Sequence, residues 1–342
     1  MNQEVLNATL CAYSRSIATN TLYILPEILN GLSSIVSIFV LLYSFFLYGF
    51  KMLFHHNAKI LMILLTILCL LFSIDVTFVT TRQIFVAITY QNDCDLVLLT
   101  SFCTIFRRVA LTCFVGVTTT QFFQMLERLI ATIMKEKYEF HTQWLGSLFV
   151  LFSLLIAVLT IEWALWNENP NEPITHCLSY SASVSIGERI YNVFYGILVT
   201  DILILIAFFA LYRNNRVKIL SAGLSKKYQK HENVIVLRAL FPMVMFNAVF
   251  VSFYILIAVI GREFRSYMTL TEYKLFAINT FIFPYVSFFL SVTIFFTTRG
   301  EHLRRIQKSQ DDAKQNTQTY FSMYESQWST TNRDEKVFMH CS

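Results

Sequence analysis

The chain alternates long apolar runs with short polar or basic interruptions, and the runs are too long for the strands or helices of a water-soluble fold. The clearest run lies between Arg108 and Glu127, where about eighteen consecutive residues carry no charge. Roughly 20 residues rising ~1.5 Å each cross a ~30 Å hydrocarbon layer, so this run spans a membrane as a single helix. The same pattern predicts seven spans, over residues 24–50, 58–81, 103–126, 144–163, 190–212, 239–260 and 273–297. Residues 1–23 precede them as a polar N-terminal segment, and residues 298–342 follow as a polar tail. The predicted fold is therefore all-α, a seven-transmembrane helix bundle, and no internal repeat is visible in it.

Composition excludes the soluble alternatives. Hydrophobic residues make up 55% of the 342 and charged residues only 14%, against about 25% charged in an ordinary soluble domain. The 33 phenylalanines and 17 tyrosines suit lipid-facing and interfacial surfaces. A net charge of +5 needs no nucleic acid to explain it. Lysine and arginine gather on one side of the predicted spans, at Lys51 and Lys59, at Arg128, Lys135 and Lys137, along the run from Arg213 to Arg238, and from Arg299 to Lys308. The other side holds only the scattered Arg15, Arg82, Arg189, Arg262, Arg265 and Lys274. By the positive-inside rule the N-terminus is expected outside and the tail in the cytoplasm.

That orientation organises the remaining features. The first 23 residues lack a basic start followed by a cleavable apolar core, so no signal peptide is expected. Asn7-Ala8-Thr9 is a glycosylation sequon in the segment an external N-terminus would expose. Cys11, Cys94, Cys103 and Cys177 fall on the outer side, where disulfides form, whereas Cys69 and Cys113 lie within spans and Cys341 in the tail. Four outer cysteines allow three pairings. Cys103 with Cys177 is preferred, because it would tie the outer end of span three to the loop between spans four and five as a lid. Cys11 with Cys94 then remains.

Charges inside spans are costly in lipid and usually face the bundle interior. Arg107 and Arg108 lie about one turn below Cys103, and Asp75 is expected at a similar depth in span two, so a pair between them is geometrically allowed. A buried pair would set helix register, and an arginine left over would contact an anionic ligand. Glu162, near the outer interface, and Asp201 are weaker cases of the same kind. Pro242 and Pro284 are expected to bend spans six and seven. Aromatic residues near the outer half are mostly explained by an interfacial belt; of these, Tyr191, Tyr195 and Tyr254 join Asp75, Arg107 and Arg108 as the candidate ligand pocket.

Enzyme chemistry finds no foothold. Seven histidines include one adjacent pair, His55-His56, with no metal-binding set of spacings and no glycine loop for phosphate. No cofactor is expected. A transporter or channel is the stronger rival, using Asp75, Arg107, Arg108 and Asp201 along a path, although the absence of inverted repeats argues against it.

Three motifs carry a resemblance. Leu224-Ser225-Lys226-Lys227-Tyr228-Gln229-Lys230-His231-Glu232-Asn233, Glu127-Arg128-Leu129-Ile130-Ala131-Thr132 and His56-Asn57-Ala58-Lys59-Ile60-Leu61 resemble the nematode serpentine chemoreceptors of the Sra superfamily, with its alpha and alpha-beta classes. The resemblance covers about residues 20–310. It implies a GPCR-like sensory receptor in a ciliated chemosensory neuron, binding an external small molecule or peptide and coupling to a heterotrimeric G protein. Lys226, Lys227, Tyr228, Gln229, Glu232 and Asn233 are then the candidate coupling surface. Arg128 follows Cys103 by 25 positions, as the arginine of the E/D-R-Y motif follows the disulfide cysteine in rhodopsin-like receptors, so Glu127 and Arg128 are the candidate activation switch. Leu129 replaces the usual tyrosine, and Phe283-Pro284-Tyr285 stands where those receptors carry N-P-x-x-Y. The tail opens with a basic amphipathic stretch, Arg299 to Ile306, and is expected to lose structure beyond Gln310.

Overall fold

The computed structural model describes residues 3–48, 55–134, 144–171, 173–174, 176–177, 184–217 and 224–338. By its contacts the chain divides into two units, Met1–Phe295 and Phe296–Ser342. The first is a helix bundle whose helices are α1 (Gln3–Ala18), α2 (Thr21–Tyr48), α3 (His56–Thr89), α4 (Thr100–Met134), α5 (Leu145–Ala164), α6 (Val184–Val217), α7 (Leu224–Glu263), α8 (Leu270–Asn279) and the start of α9 (Phe283–Phe338). Among the described residues, seven helices are long and apolar enough to cross a bilayer. Much of their surface is exposed hydrocarbon, such as Phe39 at 69%, Ile206 at 62% and Leu256 at 58%. A surface of that kind is stable only against lipid, and the chain is a multi-pass membrane protein.

The axis of the bundle is α4. Of its apolar window 72% is buried, against 28% to 39% for α2, α5, α6 and α7. It packs against α3, α5, α6 and α7. Small residues make the close approaches possible. A Cβ at Gly116 would lie 3.1 Å from the Leu68 side chain, and one at Gly146 would lie 2.6 Å from the backbone Cα of Asn57. Asn57 also accepts the Gly146 N–H at its Oδ1, 3.1 Å away, which joins the start of α3 to the start of α5. Gly146→Ala is therefore expected to cost ~1–3 kcal/mol through overpacking. The purified protein should melt several degrees lower, whereas Gly196→Ala, which meets nothing within 4 Å, should leave the melting temperature unchanged or raised.

Polar side chains stitch the bundle where lipid cannot. Ser37 of α2, Ser73 of α3 and Ser287 and Ser291 of α9 form one buried hydroxyl cluster, with Ser37 to Ser291 at 2.6 Å and Ser73 to Ser287 at 2.9 Å. The seventh span is broken: α8 ends at Asn279 and α9 begins at Phe283. Pro284 thus sits in a first helical turn, where its missing N–H costs nothing, and produces a break rather than a bend. By contrast, α7 continues through Pro242.

Both terminal segments are helical. The N-terminal segment is helical from Gln3, with Cys11, Ser14 and Ile17 buried at three-residue spacing on one face. In the second unit the chain beyond Gln310 is helical to Phe338 rather than without structure. No proline or glycine follows Gly300, and Thr317 and Thr319 donate back to the carbonyls four residues earlier, at 2.9 and 2.8 Å.

Candidate functional site

At one end of the bundle the chain builds a lid from three segments. Strands β1 (Leu98–Leu99) and β2 (Pro173–Ile174) pair antiparallel, Leu98 opposite Ile174. Disulfide Cys103–Cys177 ties this pair to the start of α4, and Cys11–Cys94 ties α1 to the turn just before β1. The chain leaves α5 through Asn167, whose φ of 63° reverses its direction, a backbone state asparagine tolerates. Glu168 then turns inward and forms a salt bridge with Arg107, both side chains almost fully buried. Arg107 also donates its Nε to the Cys177 carbonyl at 3.3 Å, and Thr104 donates to the second carboxylate oxygen of Glu168 at 3.3 Å. Beside this pair, His176 Nε2 meets Glu27 Oε1 at 2.8 Å. With its amide turned to satisfy its neighbours, Gln83 donates to the other Glu27 oxygen at 3.2 Å and accepts the Cys177 N–H at 3.1 Å.

Beneath the lid lie two small adjoining cavities of about 10 and 30 Å³. Phe72, Phe114 and Phe283 border both, Arg107 closes the end under the lid, and Asn247 and Ser287 border the far end. Phe281 lies within the break in the seventh span and Phe283 directly after it, so the interruption opens beside the cavity.

The expected pocket is only partly assembled. Neither Arg107 nor Arg108 pairs with Asp75. Depth is not the reason, because rotation about the helix decides it. Gly116 marks the face of α4 against α3, and Arg107, nine residues or about two and a half turns away, projects from the opposite face. Arg108 points outward instead and pairs with Glu162 at 3.2 Å, both about half exposed. Asp75 is buried beside Cys113 in the seam between α3 and α4, and its Oδ2 has no hydrogen-bond partner among the described residues. Tyr254 packs 4.2 Å from the Phe283 ring, and Tyr191 reaches the cavity wall only through Phe194. Tyr195 is 44% exposed on the outer surface. The sequence reading missed Glu168, Phe72, Phe114 and Phe283, since single apolar or loop residues carry no local mark of facing a cavity.

Deeper in the bundle three polar residues meet. Asn247 Nδ2 of α7 donates to Gln121 Oε1 of α4 at 3.1 Å and to Asp201 Oδ1 of α6 at 3.4 Å. Two of them, Gln121 and Asn247, were legible only as amides inside apolar spans. At the end opposite the lid, Glu127 and Arg128 are buried and paired with each other. Nearby, Asn215 of α6 donates to Thr132 of α4 at 3.2 Å. Residues 226–233 form the first turns of α7; their side chains, like that of Asn7, lie outside the described ones.

Residues 8–329 match the family model described as serpentine type 7TM GPCR receptor class ab chemoreceptor. The chain belongs to that family. The receptor is 32% identical over 274 residues to serpentine receptor class alpha-39 of Caenorhabditis elegans, covering 80% of this chain and 73% of that one. It is 25% identical over 267 residues to class beta-16 of the same organism, covering 78% and 77%. Over 218 residues it is 26% identical to class beta-17, covering 62% and 60%. Membership makes it a receptor of the GPCR type, in a family of receptors rather than enzymes.

Proposed function

We propose that this protein is a chemosensory G protein-coupled receptor that binds an external small molecule or peptide and activates a heterotrimeric G protein. The observation that carries the reading is the separation of two polar constellations along α4. Arg107 stands under the disulfide-tied lid and Glu127-Arg128 at the far end, with the cavity and the Gln121-Asp201-Asn247 cluster between them. A ligand in the cavity touches α4 and α7 together, and displacement of α7 at the far end would release Arg128 toward a cytoplasmic partner. The lid faces outward and the basic start of α7, with Lys226, Lys227, Tyr228, Gln229, Glu232 and Asn233, faces the G protein, in the plasma membrane of a sensory cilium. Asn7 carries glycan on this orientation.

The test combines topology with output. An N-terminal tag should be reached by antibody on intact cells, and a C-terminal tag only after permeabilisation. Exposure to an active chemical should change a second messenger. Reversed labelling would sink the orientation, and uptake of the chemical without any second messenger would turn the reading to a transporter.

A further inference from the structure

We infer that the lipid-facing side of α3 holds a membrane phospholipid, with Arg82 bound to its phosphate and an acyl chain lying along the helix below. Ile67, Leu71, Ile74, Phe78, Phe85 and Ile88 recur every three or four residues, so they form one stripe on α3, and each is 43% to 77% exposed. The stripe is hydrocarbon except at one position. Arg82 stands in it between Phe78 and Phe85, half-buried, with its guanidinium carbon 4.2 Å from the centre of the Phe102 ring. Among the described residues it has no carboxylate and no hydrogen-bond partner, and its Nη1 is shut off from solvent as well. Arg107 and Arg108, at the same end of the bundle, are paired with Glu168 and Glu162. A cation at the margin of the hydrocarbon calls for an anion, and here the described protein supplies none.

Depth and length point to a lipid. Gln83, the next residue, accepts the Cys177 N–H, and Phe102 directly precedes the disulfide cysteine Cys103, so Arg82 lies level with the lid, where headgroups begin. Leu71 is eleven residues, or ~16 Å, further down the helix, and half of a ~30 Å hydrocarbon layer is ~15 Å. The stripe from Arg82 to Leu71 therefore matches one leaflet from headgroup to chain end. A guanidinium can give two parallel hydrogen bonds to a phosphate, and the Phe102 ring holds its plane by cation–π contact. A second copy of the chain fits this stripe worse. Two parallel copies related by an axis along the membrane normal would carry Arg82 at the same depth and set like charges against each other.

The experiment titrates full-length protein in detergent with dioleoylphosphatidylglycerol, with dioleoylglycerol, which lacks the phosphate, and with inorganic phosphate, which lacks the chains. Native mass spectrometry counts what each molecule of protein retains. Dioleoylphosphatidylglycerol should bind at least tenfold more tightly than either other probe, and Arg82→Gln should remove that advantage. Arg265→Gln is the control, because Arg265 also lies over an aromatic ring, Tyr273 at 5.3 Å, but outside the stripe, and it should change nothing. Should Arg82→Gln fail to fold, Ile74→Ser serves, since it interrupts the stripe with the arginine in place and should weaken retention severalfold. Equal binding of dioleoylglycerol would leave only an apolar surface and overturn the inference. So would equal binding of inorganic phosphate, an Arg82→Gln or Ile74→Ser variant that retains the lipid like the parent, an equal loss in Arg265→Gln, or a protein dimer that Arg82→Gln alters while lipid retention stays the same.

Discussion

Serine at Cys103 or at Cys177 is expected to lower the amount of receptor at the cell surface severalfold, and serine at both to lower it little further. The bridge closes a loop of 74 residues, and a native disulfide of that span contributes ~2–4 kcal/mol, largely by restricting the unfolded chain. Marginally stable proteins turn such a loss into lower abundance. The position adds a second effect, because the Cys177 carbonyl accepts from Arg107 and its N–H is accepted by Gln83, so the bridge also holds polar partners in register. Surface labelling of the two single variants and the double is the measurement. Independent, additive losses would mean that the two cysteines do not act as a pair.

Arg128→Ala is expected to reduce second-messenger output at least tenfold at matched surface level, while leaving ligand binding largely intact. Arg128 lies 25 residues, or nearly 40 Å of helix at ~1.5 Å per residue, from Cys103 at the lid, and 11 residues, or ~16 Å, from Val117, the α4 residue of the cavity nearest to it. Arg128 therefore does not touch the cavity. The change also removes the buried ion pair between Arg128 and Glu127, and breaking a buried pair destabilises by ~3–5 kcal/mol. Glu127→Gln with Arg128→Gln keeps the shape without stranding a charge, and it should lose output while expressing near the parent level. Glu127→Gln alone should raise output in the absence of ligand, since it loosens Arg128 from its buried neighbour. Parental output from both arginine variants at equal surface level would remove Arg128 from the mechanism.

Sequence reasoning located the parts of the site better than their relations. Arg107 was legible as a charge in an apolar span, and it does border the cavity. Its partner was not, because Glu168 lies 61 residues away in a loop with nothing in its local composition to mark it. Asp201 stands out in the sequence for the same reason as Arg107, whereas Gln121 and Asn247, which share its hydrogen bonds, carry no charge to mark them.

What the sequence determined alone is the set of membrane helices. A run of uncharged residues long enough to cross lipid must bond its own backbone, and the helix is the local way to do so. What only the tertiary structure decided is the direction each helix faces. In water the apolar stripe of a helix points to the core, but in lipid both faces are apolar, so periodicity no longer reports which side is inside. That is why depth alone allows either Arg107 or Arg108 to pair with Asp75, when the rotation of α4 turns Arg107 to Glu168 and the cavity. The break at Thr280 to Ile282 belongs to the same class. Pro284 marked a weak point in the seventh span, and only the structure shows that the chain breaks there instead of bending, beside the cavity.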